Sequence, residues 1–157
     1  MLKENTFTGV ELGSQFLYSE EHGAIAFSAT SSHNQNVLEN TTVKYHTKLV
    51  DDGDSLNLSS GVFTAQSSGY YMFHLFSTSR QHEELWLDLR QNGAYVCSIY
   101  GFTEFDWASA GNSVILHLSS GDNVGFYSRP GHESHLFGSA DHVFTTFSGA
   151  QLVSDFD

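Results

Sequence analysis

The sequence predicts an all-β domain, a sandwich or barrel of short strands, and three observations carry that prediction. Glycines fall at positions 53, 61 and 69, at 93, and at 101, 111, 121 and 131, in runs spaced by eight and by ten residues. Turn signals every roughly 8 to 12 residues mark such folds. The segments between them alternate apolar and polar residues with a period of two. No segment sustains a helical stripe, and proline occurs once, at Pro130. An internal repeat does not explain the spacing, because GFTEFDWASA, GNSVILHLSS, GDNVGFYSRP and GHESHLFGSA share only their first residue.

The elements follow in order. Ile25, Phe27 and Ala29 share one strand face, and Val43, Tyr45, Thr47 and Leu49 are expected to share one face of the next strand. Phe63 and Phe147 sit in strand patterns and are expected in the core. In YYMFHLFST, Tyr71, Phe73 and Leu75 point one way, while Tyr70, Met72 and Phe76 point the other with His74 among them. A sandwich strand normally buries one face, so this second apolar face needs a cover, either a loop or N-terminal arm or another subunit. RQHEELWLDLRQNG contains helix formers, yet Leu85, Leu87 and Leu89 alternate with Trp86, Asp88 and Arg90, which predicts a strand. Asn92-Gly93 then supplies a hairpin turn. Val114, Leu116 and Leu118 form a last alternating stripe with Ile115 and His117 opposite, and Gly121-Asp122 reads as a turn.

Composition bounds the function. Leu, Ile, Val and Phe make up 41 of the 157 residues, above the roughly 20% below which charged chains stay disordered. Eighteen acidic against six basic residues give a net charge of −12, which repels phosphate backbones and anionic membranes. Nucleic acid is therefore excluded as an expected partner. No apolar run approaches the roughly 20 residues of a spanning helix, so membrane insertion is not expected. The opening MLKENTFTGVELGSQFLYSEEHG has no apolar h-region. One cysteine, Cys97, excludes an internal disulfide.

Several clusters carry potential chemistry. Asp51, Asp52 and Asp54 surround Gly53, and oxygen-rich flexible turns suit Ca²⁺. The spacing of a dedicated calcium loop is missing, so a solvated acidic turn is the preferred reading. His132, His135 and His142 gather around Arg129-Pro130-Gly131. Proline and glycine forbid a helix there, so exposed loop histidines are preferred over a zinc site. Hydrolase, zinc-protease and phosphate-loop motifs are absent, and Cys97 lies inside the alternating AYVCSIY, so no catalysis is expected.

Several ordered motifs resemble the globular heads of the complement C1q family, trimeric jelly rolls related to the tumour-necrosis-factor ligands. Ala26-Phe27-Ser28-Ala29 is similar to the family's opening strand. Gly61-Val62-Phe63-Thr64-Ala65 and Gly69-Tyr70-Tyr71-Met72-Phe73 resemble its Gly-x-Phe-Thr and Gly-x-Tyr-x-Phe signatures. Asn92-Gly93 falls at its hairpin, Ser113-Val114-Ile115-Leu116-His117-Leu118 and Gly121-Asp122-Asn123-Val124 at its next strands, and Phe147-Ser148-Gly149 at its close. The order and spacing of the pieces are more specific than any one of them. Leu56-Asn57 and Ala150 depart from the pattern, and no Gly-X-Y repeat is present.

The resemblance implies a two-sheet antiparallel jelly roll over residues 24–157, preceded by an N-terminal segment or linker over 1–23. It implies a secreted homotrimer with Tyr70, Met72 and Phe76 at the interface. Asp106-Trp107-Ala108-Ser109 resembles the family's Asp-x-Ala-Ser segment, whose aspartate binds calcium in some members. Their second, upstream aspartate is missing here, and Glu104 is the available substitute. For function, the resemblance to stalk-less invertebrate members implies a lectin-like innate-immune recognition protein that binds microbial glycans. The alternative is a signalling or matrix ligand for a protein receptor.

Residue chemistry places the expected glycan surface at Phe102, Glu104, Phe105, Asp106 and Trp107, where apolar faces stand beside hydroxyl-binding oxygens. The same aromatics could instead fill the end of the sandwich or the trimer seam. His132 and His135 are the alternative site.

Overall fold

The computed structural model describes residues 23–155, so the N-terminal segment lies, but for Gly23, outside the described residues. Twelve strands follow in chain order: β1 (Ala26–Ser31), β2 (Gln35–Val37), β3 (Thr47–Asp52), β4 (Leu56–Asn57), β5 (Val62–Thr64) and β6 (Gly69–Thr78). The second half contributes β7 (Leu85–Gln91), β8 (Ala94–Gly101), β9 (Ser109–Leu118), β10 (Asn123–Ser128), β11 (Ser134–Leu136) and β12 (Thr145–Ser154). Sheet one has the order β3-β1-β12-β6-β9, sheet two the order β4-β5-β10-β7-β8, and β11 pairs with β2 in a small third ladder. Every ladder is antiparallel. The architecture is a jelly roll.

Period-two alternation fills the space between the sheets. Phe27, Tyr71, Phe73, Leu75 and Phe147 of sheet one face Phe63, Leu85, Leu87, Leu89, Val124 and Phe126 of sheet two, all buried. The rings interlock across the gap, with Phe27 stacked on Phe63 at 5.1 Å and Phe126 edge-on to Phe147 at 5.2 Å. Each such burial stabilises by about 1.5–3 kcal/mol before the aromatic geometry adds to it. Gly149 has a packing reason: a Cβ there would lie 2.6 Å from the Phe27 ring and 2.8 Å from the Phe73 ring. Asn92 and Gly93 both adopt positive φ, 50° and 81°, as a type I′ hairpin turn requires.

The strand expected to carry Val43, Tyr45, Thr47 and Leu49 on one face does not exist as one element. Val43 and Tyr45 are buried, but β3 starts only at Thr47, and Leu49 is 62% exposed. The segment crosses between the sheets. Val43 N–H donates to Phe126 O of sheet two, and His46 N–H donates to Thr30 O of sheet one. The face therefore changes at the crossing, and β3 continues as an exposed edge strand.

Candidate functional site

Register decides which loops meet. Thr78 pairs with Ser109 and Leu85 with Gly101, so segments 79–84 and 102–108 leave the two sheets at the same end. Ser128 pairs with Leu87, which brings the segment after β10 there as well. The expected glycan surface and its histidine alternative are thus one region.

Arg80 joins them. Its guanidinium Nη2 donates to Asn36 Oδ1 at 2.7 Å and lies 2.5 Å from His135 Nδ1. Arginine has no acceptor, so His135 Nδ1 accepts, and its ring proton sits on Nε2. That nitrogen lies 3.7 Å from Glu83 Oε2. Arg80, Gln81, Glu83, Trp107 and Phe137 line an open cleft of about 320 Å³. The Trp107 and Phe137 rings stand 5.8 Å apart and form its apolar wall.

The 102–108 loop is held from the 79–84 side. Ser79 N–H donates to Ala108 O, Ala108 N–H donates to Ser79 Oγ, and His82 Nδ1 meets Glu104 O at 2.5 Å. Gln81 Nε2 donates to Asp106 Oδ1 at 3.4 Å. Phe102 and Trp107 are half-exposed, and Phe105 is 82% exposed at the tip. The packing alternative applies in part to Trp107, whose ring rests on Phe137.

Two of the three expected loop histidines, His132 and His135, are held by partners, while His142 is exposed in the turn that Ser139 closes. His135 belongs to β11 and is clamped by Arg80, because the β2–β11 ladder carries the chain back into pairing after Pro130-Gly131. His132 Nδ1 meets Glu84 Oε1 at 2.7 Å and its ring packs 4.7 Å from Trp86. The other side of that cluster is Arg129, stacked 4.6 Å over Trp86 and paired with buried Asp88. Sequence reasoning missed Arg80, Gln81, Glu83 and Phe137. A scarce cation in a chain of net charge −12 was the one available signal.

The acidic turn is also built differently from expectation. Alternation along β3 sends Asp51 and Asp52 to opposite faces, and Asp51 is not solvated. Its carboxylate contacts Lys48 Nζ and accepts from Ser55 N–H at 3.0 Å, while Asp54 lies 3.3 Å from the same ammonium. Asp51, then Asp54, hold the Lys48 pKa above its ordinary value. A cation of the chain itself occupies the place a calcium ion would take. Among the described residues no three His, Cys, Asp or Glu side chains converge as a metal site. Glu104 and Asp106 supply two carboxylates, short of the six to eight oxygens Ca²⁺ takes, so one chain alone does not fit the ion. Burial, then the Asp88 charge, pushes the Cys97 thiol pKa up, away from nucleophilic character.

The second surface is the outward face of sheet one. Tyr70 is 49%, Phe76 52% and Ile115 56% exposed, with Met72 between them. His74 sits at its centre, bonded to Ser113 Oγ at 2.6 Å and touching Met72 Sδ at 3.0 Å. No loop among the described residues covers this face, and the N-terminal arm considered as a cover lies outside them.

The C1q domain model matches residues 26–152. Among solved structures, the globular domain of zebrafish complement 1qA aligns at a TM-score of 0.69 and 22% identity, covering 83% of this chain and 99% of that one. Eiger TNF from S. frugiperda aligns at 0.68 and 14% identity, covering 85% and 96%. Murine APRIL aligns at 0.63 and 11%, covering 83% and 100%. The identities are low, so these structures speak for the shared fold. With the family model spanning most of the chain, and the Gly149 packing and Asn92-Gly93 turn supplying physical reasons for its motifs, the chain belongs to the C1q domain family.

Proposed function

We propose that this chain is a non-catalytic, secreted recognition head that binds neutral glycans of microbial surfaces in the cleft between segments 79–84 and 102–108. The observation that carries the reading is the composition of that cleft. The Trp107 and Phe137 rings offer an apolar wall to sugar C–H groups, and Arg80, Gln81 and Glu83 offer donors and acceptors to hydroxyls. The net charge of −12 opposes anionic lipopolysaccharide or lipoteichoic acid and leaves neutral polysaccharides such as mannan favoured.

The working form is a homotrimer closed over the apolar face that includes Tyr70, Met72 and Phe76. An exposed face of this kind matches the apolar centres of homo-oligomer interfaces, and it runs along β6 and the edge strand β9 on the outward side of sheet one. Calcium enters the reading as an ion held by Glu104 and Asp106 together with ligand hydroxyls or a second copy.

A second reading, a ligand for a protein receptor, rests on Phe105. A phenyl ring 82% exposed at a loop tip suits insertion into a protein pocket. A glycan array probed with and without calcium separates the two. Binding to mannose-type or other neutral polysaccharides supports the lectin reading, a calcium-dependent subset supports the bridging ion, and an empty array moves the function to protein recognition.

A further inference from the structure

We infer that Asn57, and with it Asn40, is an acceptor for N-linked oligosaccharide when the chain passes through a eukaryotic secretory pathway. Asn57-Leu58-Ser59 and Asn40-Thr41-Thr42 both have the Asn-x-Ser/Thr pattern with no proline at the middle position. The pattern alone is short and common. The fold supplies the rest.

Asn57 lies on β4, the edge strand of sheet two at the opposite edge from β8, and leads into the turn closed by Gly61 N–H donating to Asn57 O at 2.8 Å. The residue is exposed, as is Ser59. Its side-chain carbonyl Oδ1 is fully engaged, accepting from Ser59 Oγ and from Ser60 N–H, both at 2.9 Å. The amide nitrogen Nδ2, the atom that would carry sugar, has no hydrogen-bond partner among the described residues. Asn40 repeats the arrangement in an exposed turn, where Oδ1 accepts from Arg90 Nη2 at 3.1 Å and Nδ2 is again unengaged among the described residues. Asn92 and Asn112 differ, because their Nδ2 groups donate to Asp122 and to Ser98 O. At both acceptor positions the fold holds the oxygen and presents the nitrogen to solvent.

The chemistry is a group transfer without redox change. Nδ2 attacks the anomeric carbon of a lipid-pyrophosphate-linked oligosaccharide, an N–C bond forms, and the C–O bond to pyrophosphate breaks. The lipid pyrophosphate leaves with the electron pair, and the amide proton passes to a base of the transferase. Placement then gives the glycan a use. On β4 it shields an edge strand whose unpaired groups would otherwise template association. It stands on sheet two, away from the Tyr70–Phe76 face of sheet one.

The test is to secrete the full chain from insect cells behind a cleavable leader, alongside a co-expressed glycoprotein as a control. Intact mass and gel mobility are then read before and after peptide N-glycosidase. Two enzyme-sensitive steps are expected. Asn57→Gln and Ser59→Ala should each remove the same single step, and Asn40→Asp, which keeps the oxygen that Arg90 uses and tolerates the positive φ of 58°, should remove the other. A single sugar-free mass while the control is glycosylated would overturn the inference, as would an Asn57 step that survives Ser59→Ala.

Discussion

At the residue scale the core rings and one hydroxyl make opposite statements about stability. Phe73 and Phe147 are fully buried and touch each other and Phe27. Truncating either to Ala leaves a cavity and should cost about 3–5 kcal/mol, read as a lower denaturant midpoint at unchanged slope. Tyr45 is buried with a hydroxyl that has no hydrogen-bond partner among the described residues. Removing that hydroxyl by Tyr45→Phe should leave stability unchanged or raise it by about 1–2 kcal/mol. Burial also pushes the Tyr45 pKa up. A phenol whose folded pKa lies above its unfolded value of about 10 is neutral in both states below pH 10, and as pH rises further only the unfolded chain ionises, so stability falls. Tyr45→Phe should therefore reduce the loss of stability between pH 9 and 11, and a pH–melting profile identical to the parent's would contradict that assignment.

At the element scale the central object is β6. Its inward residues hold the two sheets together, so its outward residues can be changed without touching the core. Phe76→Glu places a charge on the outward face and should convert a trimer to monomer in light scattering while the melting transition stays cooperative. A parent chain that is monomeric at micromolar concentration would remove the interface altogether. Strands such as β6, β7 and β9 were legible because each side chain repeats every second position and each is paired over its whole length. Residues 43–49 were not, because a chain crossing from one sheet to the other changes partner mid-segment, and alternation reports facing only within one ladder. The acidic turn was half legible. Three carboxylates were visible in sequence, but Lys48 reaches back over Asp51 and Asp54 only once β3 is folded.

At the scale of the whole molecule the cleft is a product of topology. Trp107 was legible as a displayed aromatic beside an acid, whereas Arg80 and Phe137 stand far from it in sequence and meet it only through the β6–β9 and β2–β11 ladders. Acceptor asparagines show the same division. Their three-residue pattern can be read directly, while the free amide nitrogen belongs to the folded turn. Net charge acts at this scale too: immobilised mannan should retain the protein at low and at physiological salt alike, whereas capture on an anionic polymer should be weak at low salt. The proposed contact of neutral glycan is with the Trp107 ring. Calorimetric titration of mannan oligosaccharide into the parent and into Trp107→Ala, both shown by light scattering to keep the same assembly, tests it most directly. An affinity loss of about tenfold or more is expected in the variant; equal affinities in two equally assembled proteins would contradict binding at this ring.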